Sequence, residues 1–430
     1  MVATTQQETT RPGYVQTEVG RIPVDWAVSS LGQCLLSRPD YGINARAVEF
    51  TGKLPVYIRI TDITEEGRFS PEKRVSVQGA DTEQYFLKEG ELVFARTGAS
   101  VGKSYLYNAE DGRLVFAGFL IRVRPDPAKL IPSFLAAYVR SGRYWSWVSV
   151  MSTRSGQPGI NGNEYTQLPI PLPRTDEQRA IATAISDTDA LIASLDKLIT
   201  KKQDMKTAVM QQLVTGKRRL PGFSGKWELK RLGDVGACIR GVTYKGDGDL
   251  SPYDTPRTKR LLRANNVQDA IITTDDIQFV NAARVSMQQV MRKGDILVCM
   301  ASGSRDLAGK AAAFELSDGY EYTFGAFMGC FRSSSASVES SFVHLLFQTG
   351  LYRAYIANLL AGSSINNLRP SAIESLEFSF PDTQEQSAIA AVVSDIDAEI
   401  AALLARREKT KALKQGMMQQ LLTGEIRLIV

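Results

Sequence analysis

The sequence VMQQLVTGKRRL at residues 209–220 returns as MMQQLLTGEIRL at residues 417–428, an offset of 208 (417 − 209). Each copy is typical of a helix end, because a Thr-Gly pair follows an apolar, glutamine-rich turn and glycine suits the left-handed position just beyond a helix. A helix end that occurs twice at such a distance predicts two copies of one structural plan. This repeat decides the architecture of the whole chain.

The repeat extends well beyond the helix ends. PRTDEQRAIATAISDTDALIASL from Pro173 matches PDTQEQSAIAAVVSDIDAEIAAL from Pro381 at the same offset. Weaker matches pair KEGELVFARTG with RKGDILVCMASG at offset 204 (292 − 88), and WAVSSLG with WELKRLG at offset 201 (227 − 26). Drifting offsets indicate small loop insertions, so the two copies are expected to share a fold and to differ in detail.

Each copy has two parts. The first, which we call a head, contains short β-like runs such as YIRITDI, ELVFART and FLIRVRP, or RLLRANNV and DILVCMA, separated by glycine-bearing turns. One amphipathic helix is expected near its end, in FLAAYVRSGRYWSW and in FVHLLFQTGLYRAY. The second part is a single long helix.

Both long helices carry start and stop signals. TDEQ from Thr175 and TQEQ from Thr383 predict capping boxes, in which the glutamine side chain bonds back to the first residue of the motif. Gly216 and Gly424 are the predicted residues just beyond the helix ends. About 40 residues between these signals give a helix of about 60 Å.

Between these signals, the apolar residues recur with the 4-3 spacing of a coiled-coil seam. The alternative is an ordinary core helix packed on its own head, but about 40 uninterrupted residues exceed the usual length of 10–14. The seam turns polar near Lys202 and Arg407. The predicted seam residues are Ile181, Ile185, Ile192, Leu195 and Ile199, then Ile389, Val393, Ile396, Ile400 and Leu403.

Connectivity predicts that the helices pair antiparallel. Each head leads into the start of its own helix, and the basic stretch from Lys217 to Gly222 leads from the end of the first helix into the second head. The second helix therefore starts where the first one ends. We predict an α+β protein with two similar β-rich heads, separated by two long helices that form an antiparallel coiled coil with pseudo-twofold symmetry.

The predicted segments follow from these boundaries. They are a flexible N-terminal arm (1–20), the first head (21–172), the central helix (173–220), the second head (221–380) and the C-terminal helix (381–430).

Composition excludes several classes of function. The net charge of +5 and the pI near 8.9 permit nucleic-acid binding without requiring it. The chain shows neither a long apolar segment nor a secretory signal, and its four scattered cysteines form no CxxC pair, which favours a reducing cytoplasm and no metal site. The single histidine, His344, lies in an apolar stretch and is expected to be structural, which argues against His-dependent catalysis.

Two glycine-rich stretches approach a phosphate loop without matching it. A Walker A motif needs four residues between its first glycine and Gly-Lys, whereas Gly98 to Gly102 leaves three and Gly303 to Gly309 leaves five. We expect both stretches to be turns. Motifs of amino-methyltransferases, PD…ExK nucleases, hydrolases and dinucleotide-binding enzymes are also missing from the sequence. The chain reads as a binding protein without a catalytic residue.

The pattern resembles the specificity (S) subunit of type I restriction-modification systems. The helix starts LPIPLPRTDEQRAIA and LEFSFPDTQEQSAIA carry the resemblance, together with the helix ends MQQLVTGKRRLPGF and MQQLLTGEIRL. It covers nearly the whole chain.

The resemblance implies a function as well as a fold. Each head would be a target recognition domain that reads half of a bipartite, interrupted site in double-stranded DNA, and the coiled coil would set the spacer between the half-sites. The helices would also dock two adenine methyltransferase (M) subunits, and restriction (R) subunits would join the complex. S-adenosylmethionine, ATP and Mg would belong to these partners, so no cofactor is expected here.

Base reading needs polar side chains on protruding loops. Three stretches in each head fit this requirement, although polar glycine-bearing turns can also be simply solvated. The predicted DNA-binding residues of the first head are Arg59, Arg96, Thr97, Ser100, Lys103, Arg154, Ser155 and Gln157. Those of the second head are Arg263, Asn265, Asn266, Ser302, Ser304, Arg305, Lys310, Ser363, Ser364, Asn366 and Asn367.

Some assignments stay open on the sequence alone. Lys217, Arg218 and Arg219 can contact phosphates, or they can complement the dipole at the helix end. The chain can instead be a reader from another modification system, a bivalent adaptor for two proteins, or an enzyme that uses the near-Walker loop. The target sequence does not follow from these residues.

Overall fold

The computed structural model describes residues 12–78, 82–153, 157–305, 307–334, 336–361 and 366–428. The chain divides into two compact units, one formed by residues 1–196 with 405–430 and the other by residues 197–404. Each long helix therefore contributes one segment to each unit.

The described part of unit 1 contains the first head. Its strands are β1 (Tyr14–Thr17), β2 (Gly20–Pro23), β3 (Ala27–Ser30), β4 (Asp40–Tyr41), β5 (Ala47–Glu49), β6 (Val56–Ile58), β7 (Val75–Val77), β8 (Leu92–Ala95), β9 (Ser104–Leu106), β10 (Leu114–Phe116), β11 (Leu120–Val123) and β12 (Pro169–Leu172). Its helices are α1 (Pro132–Tyr138), α2 (Gly142–Met151), α3 (Gly162–Tyr165) and the start of α4 (Thr175–Leu213).

The described part of unit 2 contains the second head. Its strands are β13 (Glu228–Arg231), β14 (Gly236–Arg240), β15 (Leu250–Ser251), β16 (Thr258–Leu262), β17 (Val267–Gln268), β18 (Ile271–Ile272), β19 (Gln278–Asn281), β20 (Ile296–Cys299), β21 (Ala311–Ala313), β22 (Tyr322–Phe324), β23 (Met328–Ser333) and β24 (Glu377–Phe380). Its helices are α5 (Leu232–Val235), α6 (Gly246–Asp249), α7 (Ser340–Leu346), α8 (Gly350–Ala361), α9 (Pro370–Glu374) and the start of α10 (Thr383–Leu421).

Three sheets of the first head recur in the second with the same strand order. The order β10-β6-β7-β5 in the first head corresponds to β22-β16-β19-β15 in the second, and the first pair of strands is parallel in both. The order β4-β11-β8-β9 corresponds to β14-β23-β20-β21, and β12-β3 corresponds to β24-β13. The predicted fold class is confirmed: an α+β protein with two similar β-rich heads and two long helices.

The N-terminal prediction needs a correction. Residues 12–20 are not a loose arm, because β1 pairs with β2 and the Tyr14 hydroxyl donates to the Gly424 carbonyl at 2.9 Å. Residues 1–11 lie outside the described part of the chain.

The amphipathic helix predicted near the end of each head is in fact two helices. In the first head, α1 and α2 are separated by a turn, and the Ser141 hydroxyl accepts from the Tyr144 amide to begin α2. In the second head, the Thr349 hydroxyl accepts from the Tyr352 amide at the start of α8. Each hydroxyl caps the start of a second helix. The apolar spacing continues across the turn between the two helices, so the sequence pattern alone predicts one helix.

The two long helices run antiparallel within each unit. In unit 1, Asp189 of α4 pairs with Lys414 of α10 at 2.6 Å. The Thr188 hydroxyl lies 3.8 Å from Met417 Sδ. In unit 2, Lys206 of α4 pairs with Asp397 of α10 at 2.7 Å. Among the described helices, none combines the length and apolar composition that crossing a membrane needs.

The predicted seam is apolar near the heads and polar in the middle of the helices. All predicted seam residues are buried except Leu403, which is half-buried. Ile181 and Ile185 join the core of unit 1 beside Leu421, and Ile389 joins the core of unit 2 beside Met210. The polar stretch carries ion pairs, Lys202 with Glu399 and Arg407 with Asp196.

The predicted capping boxes are wrong, because their glutamines bond elsewhere. The Gln178 side chain is fully buried, accepts from the Ile131 amide at 2.8 Å and donates to the carbonyls of Lys129 and Pro173. Gln386 is equally buried; it accepts from the Glu339 amide at 2.9 Å and donates to the carbonyls of Ser337 and Pro381. Each glutamine therefore ties the helix start to a loop of its own head.

The acidic residue before each glutamine holds the end of the other helix. In unit 1, Arg427 pairs with Glu177 at 2.6 Å and with Asp25 at 2.8 Å, and the Trp26 indole donates to Glu177 at 3.2 Å. The hydrogen bond from Arg427 lowers the pKa of Asp25. Arg427, which follows the end of α10, thus links that helix to the start of α4 and to the first head.

The same closure is present in unit 2. Arg219 pairs with Glu385, and the Trp227 indole donates to Glu385 at 3.1 Å. The Arg219 guanidinium, for which the sequence leaves a phosphate contact and a role at the helix dipole open, is therefore paired within the unit. Gly216 and Gly424 follow the helix ends with φ of 69° and 72°, as predicted. A Cβ on Gly424 would lie 2.5 Å from Pro23, so glycine is required for space as well.

His344 is a structural histidine of α7. It is half-buried, and its Nε2 accepts from the Ala313 amide at 3.2 Å. Burial, with a smaller effect of Lys206, lowers its pKa from 6.5 to about 4. Because the unfolded chain takes up this proton first, acidification favours unfolding between these two values. We expect His344 to account for a loss of roughly 3 kcal/mol of stability as pH falls through that window.

Urea unfolding of the wild-type chain and of His344→Gln, at about pH 7 and about pH 5, measures this contribution. The variant should lose less stability on acidification than the wild type. An equal loss in both proteins would exclude His344 as the cause.

Candidate nucleic-acid interface

A tight turn in each head exposes a phenylalanine. In unit 1 the Leu120 amide donates to the Ala117 carbonyl at 2.8 Å, and Phe119 is 58% exposed between buried neighbours. In unit 2 the Met328 amide donates to the Gly325 carbonyl at 2.8 Å, and Phe327 is 69% exposed. We call these two segments, residues 117–120 and 325–328, the phenylalanine turns.

A glycine packs directly beneath each phenylalanine turn. A Cβ on Gly42 would lie 2.3 Å from the Phe116 carbonyl oxygen, and a Cβ on Gly241 would lie 2.0 Å from the Gly325 carbonyl oxygen. The next residue bonds to the strand before the turn, from the Ile43 amide at 3.0 Å and from the Val242 amide at 2.8 Å. Backbone contacts that exclude a side chain hold each turn in one position.

The first predicted arginine of each head flanks the turn. Arg59 follows β6, whose last carbonyl accepts from the Ala117 amide at 3.0 Å, and Arg263 follows β16 in the same way. Asp62 binds the Arg59 guanidinium through two hydrogen bonds of 2.7 and 3.0 Å, and these raise the pKa of Arg59. Arg263 pairs with Asp276 at 2.9 Å. Both cations have protein partners, although each side chain keeps a partly exposed edge.

Asn266 is not a DNA-contacting residue. Its side chain is fully buried, accepts from the Arg263 amide at 2.9 Å and donates to the carbonyls of Thr273 and Asp275. It occupies the place of Asp62 in the first head, so its role is to hold a loop. Asn265 is more exposed and donates to Asp276 at 3.2 Å.

Two predicted DNA-binding stretches, residues 96–98 and the segment at Gln157, lie on the other side of the phenylalanine turn of the first head. The Arg96 amide donates to the Phe119 carbonyl at 3.1 Å, and the Arg96 guanidinium lies 4.9 Å from the centre of the Tyr41 ring. Thr97 bridges to Gly159, and a Cβ on Gly98 would lie 3.1 Å from Gln157 Nε2. The structure therefore brings Arg96, Thr97 and Gln157 together.

The other predicted DNA-binding residues of the first head either lie farther along the loop from the phenylalanine turn or fall outside the described residues. Ser100 ends a short 3-10 turn that begins at Gly98. Lys103 pairs with Glu65 at 2.8 Å, so its ammonium is neutralised within the head. Arg154 and Ser155 lie outside the described residues.

The second head repeats the arrangement with other side chains. The amides of Met300 and Ala301 donate to the Phe327 carbonyl at 2.9 and 3.1 Å. The Ser302 amide donates to the Asn366 carbonyl at 3.2 Å, and the Asn366 side chain lies 3.4 Å from the Gly303 carbonyl. The two predicted loops of this head are therefore adjacent.

Other predicted residues of the second head surround this pair of loops. Asn367 accepts from Arg240 at 3.3 Å, Ser304 and Arg305 are exposed, and Lys310 is half-buried. Ser363 and Ser364 lie outside the described residues.

Sequence reasoning missed Phe119, Phe327, Tyr41 and Arg240. The phenylalanines share the offset of 208 (327 − 119), but each stands in an apolar run that predicts a buried strand. Only the turn reveals that they face outward. Polar donors and one apolar ring on a rigid backbone are suited to a groove of duplex DNA.

A second pair of matching features lies at the helix ends. In unit 2 a groove of about 520 Å³ is lined by residues that include Met210, Gln211, Thr215, Thr349 and Gly350. In unit 1 a groove of about 490 Å³ is lined by the corresponding Met418, Gln419, Thr423, Ser141 and Gly142. The repeated helix-end sequence therefore lines a similar groove in each unit, although Lys217 of one groove stands where the other has Glu425.

Comparison with known proteins gives a consistent family. The family model of the type I restriction modification DNA specificity domain matches residues 23–202 and 224–413. The chain is 32% identical over 200 residues to the specificity subunit of the type I restriction enzyme EcoKI from Escherichia coli K12, and this match covers 46% of the chain and 42% of that relative. The chain thus aligns with less than half of that protein.

A second relative aligns along its whole length. The putative MjaX specificity subunit from Methanocaldococcus jannaschii is 24% identical over 439 aligned positions, which cover 96% of each chain.

Two solved structures share the fold. The S subunit of a type I restriction-modification system from M. genitalium has a TM-score of 0.58 at 13% identity, over 92% of this chain and 96% of that one. A chain from a study of complex assembly and conformational transition in a type I system has a TM-score of 0.56 at 18% identity, over 94% of this chain and 99% of that one.

Proposed function

Because the chain belongs to the family of type I restriction modification DNA specificity domains, we propose that its two heads each read one half of a bipartite, interrupted DNA site. As a member of this family it acts in DNA sequence recognition. The observation that carries the proposal is that both heads hold polar loops around a phenylalanine turn on one backbone frame.

The side chains on that frame differ between the heads. Arg96 and Thr97 stand where the second head has Met300 and Ala301, beside the same carbonyl of the turn. Gln157 of the first head lies against Gly98, whereas Asn366 of the second head lies against Gly303. Two heads with the same backbone arrangement and different polar side chains are suited to recognising two different base sequences.

The spacer between the half-sites is set, in this proposal, by the two long helices. Each is 39 residues long. A helix of that length rises about 60 Å, which equals about 18 base pairs of duplex DNA. Antiparallel pairing within each unit supports this role, because it makes both helices part of both units.

The helix ends dock two copies of one partner, the adenine methyltransferase subunit. The two matched grooves support this, since a partner that binds one of them finds the same methionine, glutamine and threonine side chains in the other. Restriction subunits would join this assembly. The chain itself would stay in the cytoplasm, as the sequence predicts.

Catalysis belongs to the partners in this proposal, with S-adenosylmethionine on the methyltransferase and ATP and Mg on the restriction subunit. The environments of His344 and of the four cysteines support this assignment. His344 holds a backbone amide, and all four cysteines are buried, where burial raises the pKa of each thiol. A buried thiol of raised pKa is a poor nucleophile.

Sequencing of methylated adenines in a host with and without this gene and its methyltransferase tests the function. The expected result is one bipartite motif with a fixed spacer that disappears without the gene. Gln157→Ala and Asn366→Ala should each relax only the half-site that its own head reads. Relaxation of both halves by either variant, or methylation without a bipartite motif, would contradict the proposal.

A bivalent protein adaptor predicts another outcome. Such a chain would leave the methylome unchanged and would shift no duplex in a gel assay, with or without the methyltransferase.

A further inference from the structure

We propose that Phe119 and Phe327 enter the base stack as aromatic wedges, one in each half-site. The inference rests on the proposed DNA reading, and it adds a separate role for the heads, because opening a base step differs from identifying its bases. Apolar side chains that enter a base step unstack it and bend the duplex.

Each ring is exposed on an otherwise buried segment. Phe119 and Phe327 are 58% and 69% exposed, while Ala117, Leu120, Gly325 and Met328 beside them are buried. The turn therefore presents one ring outward and buries the residues on either side. More than half of each phenylalanine is exposed, so its removal should disturb the packing of its head less than removal of a core ring.

The turns are rigid enough to act as wedges. Each phenylalanine carbonyl accepts from the neighbouring loop, at 3.1 Å in the first head and at 2.9 and 3.1 Å in the second. On the opposite side, the first amide of each turn donates to the neighbouring strand at 3.0 Å, and Gly42 or Gly241 fills the space below. Inserting the ring costs the free energy of unstacking a base step, so a ring on a mobile loop would move away from the bases instead. The hydrogen bonds and close glycine contacts of this backbone keep the ring in its exposed position.

The surroundings favour DNA over a protein partner. Polar residues flank each ring on both sides: Arg59, Arg96 and Gln157 in the first head, and Arg263, Ser302 and Asn366 in the second. A stable protein interface covers about 800 Å² of each partner, with apolar side chains concentrated at its centre. In the first head the exposed Tyr41 ring lies against the Arg96 guanidinium. One exposed phenylalanine beside such polar groups fits a base step, which admits one apolar side chain between two phosphate backbones.

Phe119 and Phe327 are the same residue at equivalent positions, which distinguishes them from the proposed base-reading residues. The loops beside the turns carry different side chains in the two heads, yet both turns carry phenylalanine at the same point. Stacking tolerates any base, because every base has a π-face. A ring that is the same in both heads is therefore suited to a step that both half-sites need, whatever their sequences.

The test uses the full chain assembled with its methyltransferase and the duplex defined by the methylome. Phe119→Ala and Phe327→Ala should each weaken binding to this duplex about tenfold. Phe119→Trp should keep most of the affinity, since a larger ring still stacks. The control is Leu229→Ala, which removes a side chain of similar exposure (67%) from β13 and should leave binding unchanged.

Two further readouts identify the wedge. The slope of log affinity against log salt should stay at its wild-type value in Phe119→Ala, because an apolar ring releases no counterions. With 2-aminopurine placed at successive steps, the wild-type complex should brighten one step in each half-site. Phe119→Ala should remove the signal from the first half-site alone, and Phe327→Ala from the second alone.

The outcomes separate the inference from the function on which it rests. If the wild-type complex does not prefer the methylome-defined duplex to a random one, the proposed reading fails. If it does and the alanine variants keep wild-type affinity and fluorescence, the wedge is refuted while the reading stands. Loss of methyltransferase from the purified variants would make the ring a protein contact, which also refutes the wedge.

Discussion

Replacing Gln178 with alanine is expected to lower the free energy of unfolding by about 3 kcal/mol. The side chain is fully buried and bonds to the Ile131 amide and to the carbonyls of Lys129 and Pro173. Alanine would leave these backbone groups without their partner, at about 1–3 kcal/mol for each buried group that stays unsatisfied. Gln386→Ala should have the same effect in unit 2, where the three bonds recur.

Urea unfolding, with each transition assigned to its unit by intrinsic fluorescence, measures both effects. Gln212→Ala is the matched control, because it removes an exposed glutamine from the same helix. Its effect should stay within about 0.5 kcal/mol. Gln178→Glu keeps an acceptor for the Ile131 amide but turns a buried carboxylate toward the carbonyls of Lys129 and Pro173. At neutral pH it should therefore be at least as destabilising as the alanine variant. Equal stabilities of Gln178→Ala and the control would show that water replaces the side chain.

Lengthening both long helices by seven residues is expected to lengthen the spacer of the recognition site by about three base pairs. The insertions belong after Thr200 in α4 and after Ala401 in α10, in the polar stretch between the pairs Asp196–Arg407 and Lys202–Glu399. Seven residues restore the phase of the seam, so the apolar contacts beside each head should persist.

The methylome of a host that carries the lengthened chain gives the new spacer directly. Both half-site sequences should stay as in the wild type, because the heads are untouched. A seven-residue insertion beside the exposed Tyr253, in a surface loop of the second head, serves as the control and should leave the spacer as it is. A wild-type spacer in the lengthened protein would remove the helices from any role in setting the gap.

The architecture is predictable because the repeat is written in features that act locally. Gly216 and Gly424 end their helices in any surroundings, and the 4-3 seam spacing defines one apolar face whatever packs against it. The second head joins the end of α4 to the start of α10. The second helix therefore starts where the first one ends, and antiparallel pairing is the simple solution. These signals depend little on contacts with distant residues.

The errors come from residues whose partners are remote in sequence. TDEQ has the composition of a capping box, yet Gln178 bonds to residues 129–131, and a motif search has no access to that loop. Asn266 has the chemistry of a base reader, but its bonds to Thr273 and Asp275 occupy it inside the head. Phe119 has the hydrophobicity of a strand residue, and hydrophobicity alone does not show that a turn reverses its direction.

Unit 1 is built from chain segments that are made at different times. Residues 12–196 are translated before unit 2. Arg427, which holds Glu177 and Asp25, and Leu421, which packs beside Ile181, are translated after it. Unit 2 comprises residues 197–404 and can close while synthesis continues. The head that is translated first is therefore completed last, and a chain that stalls before residue 405 presents one finished head and one open core.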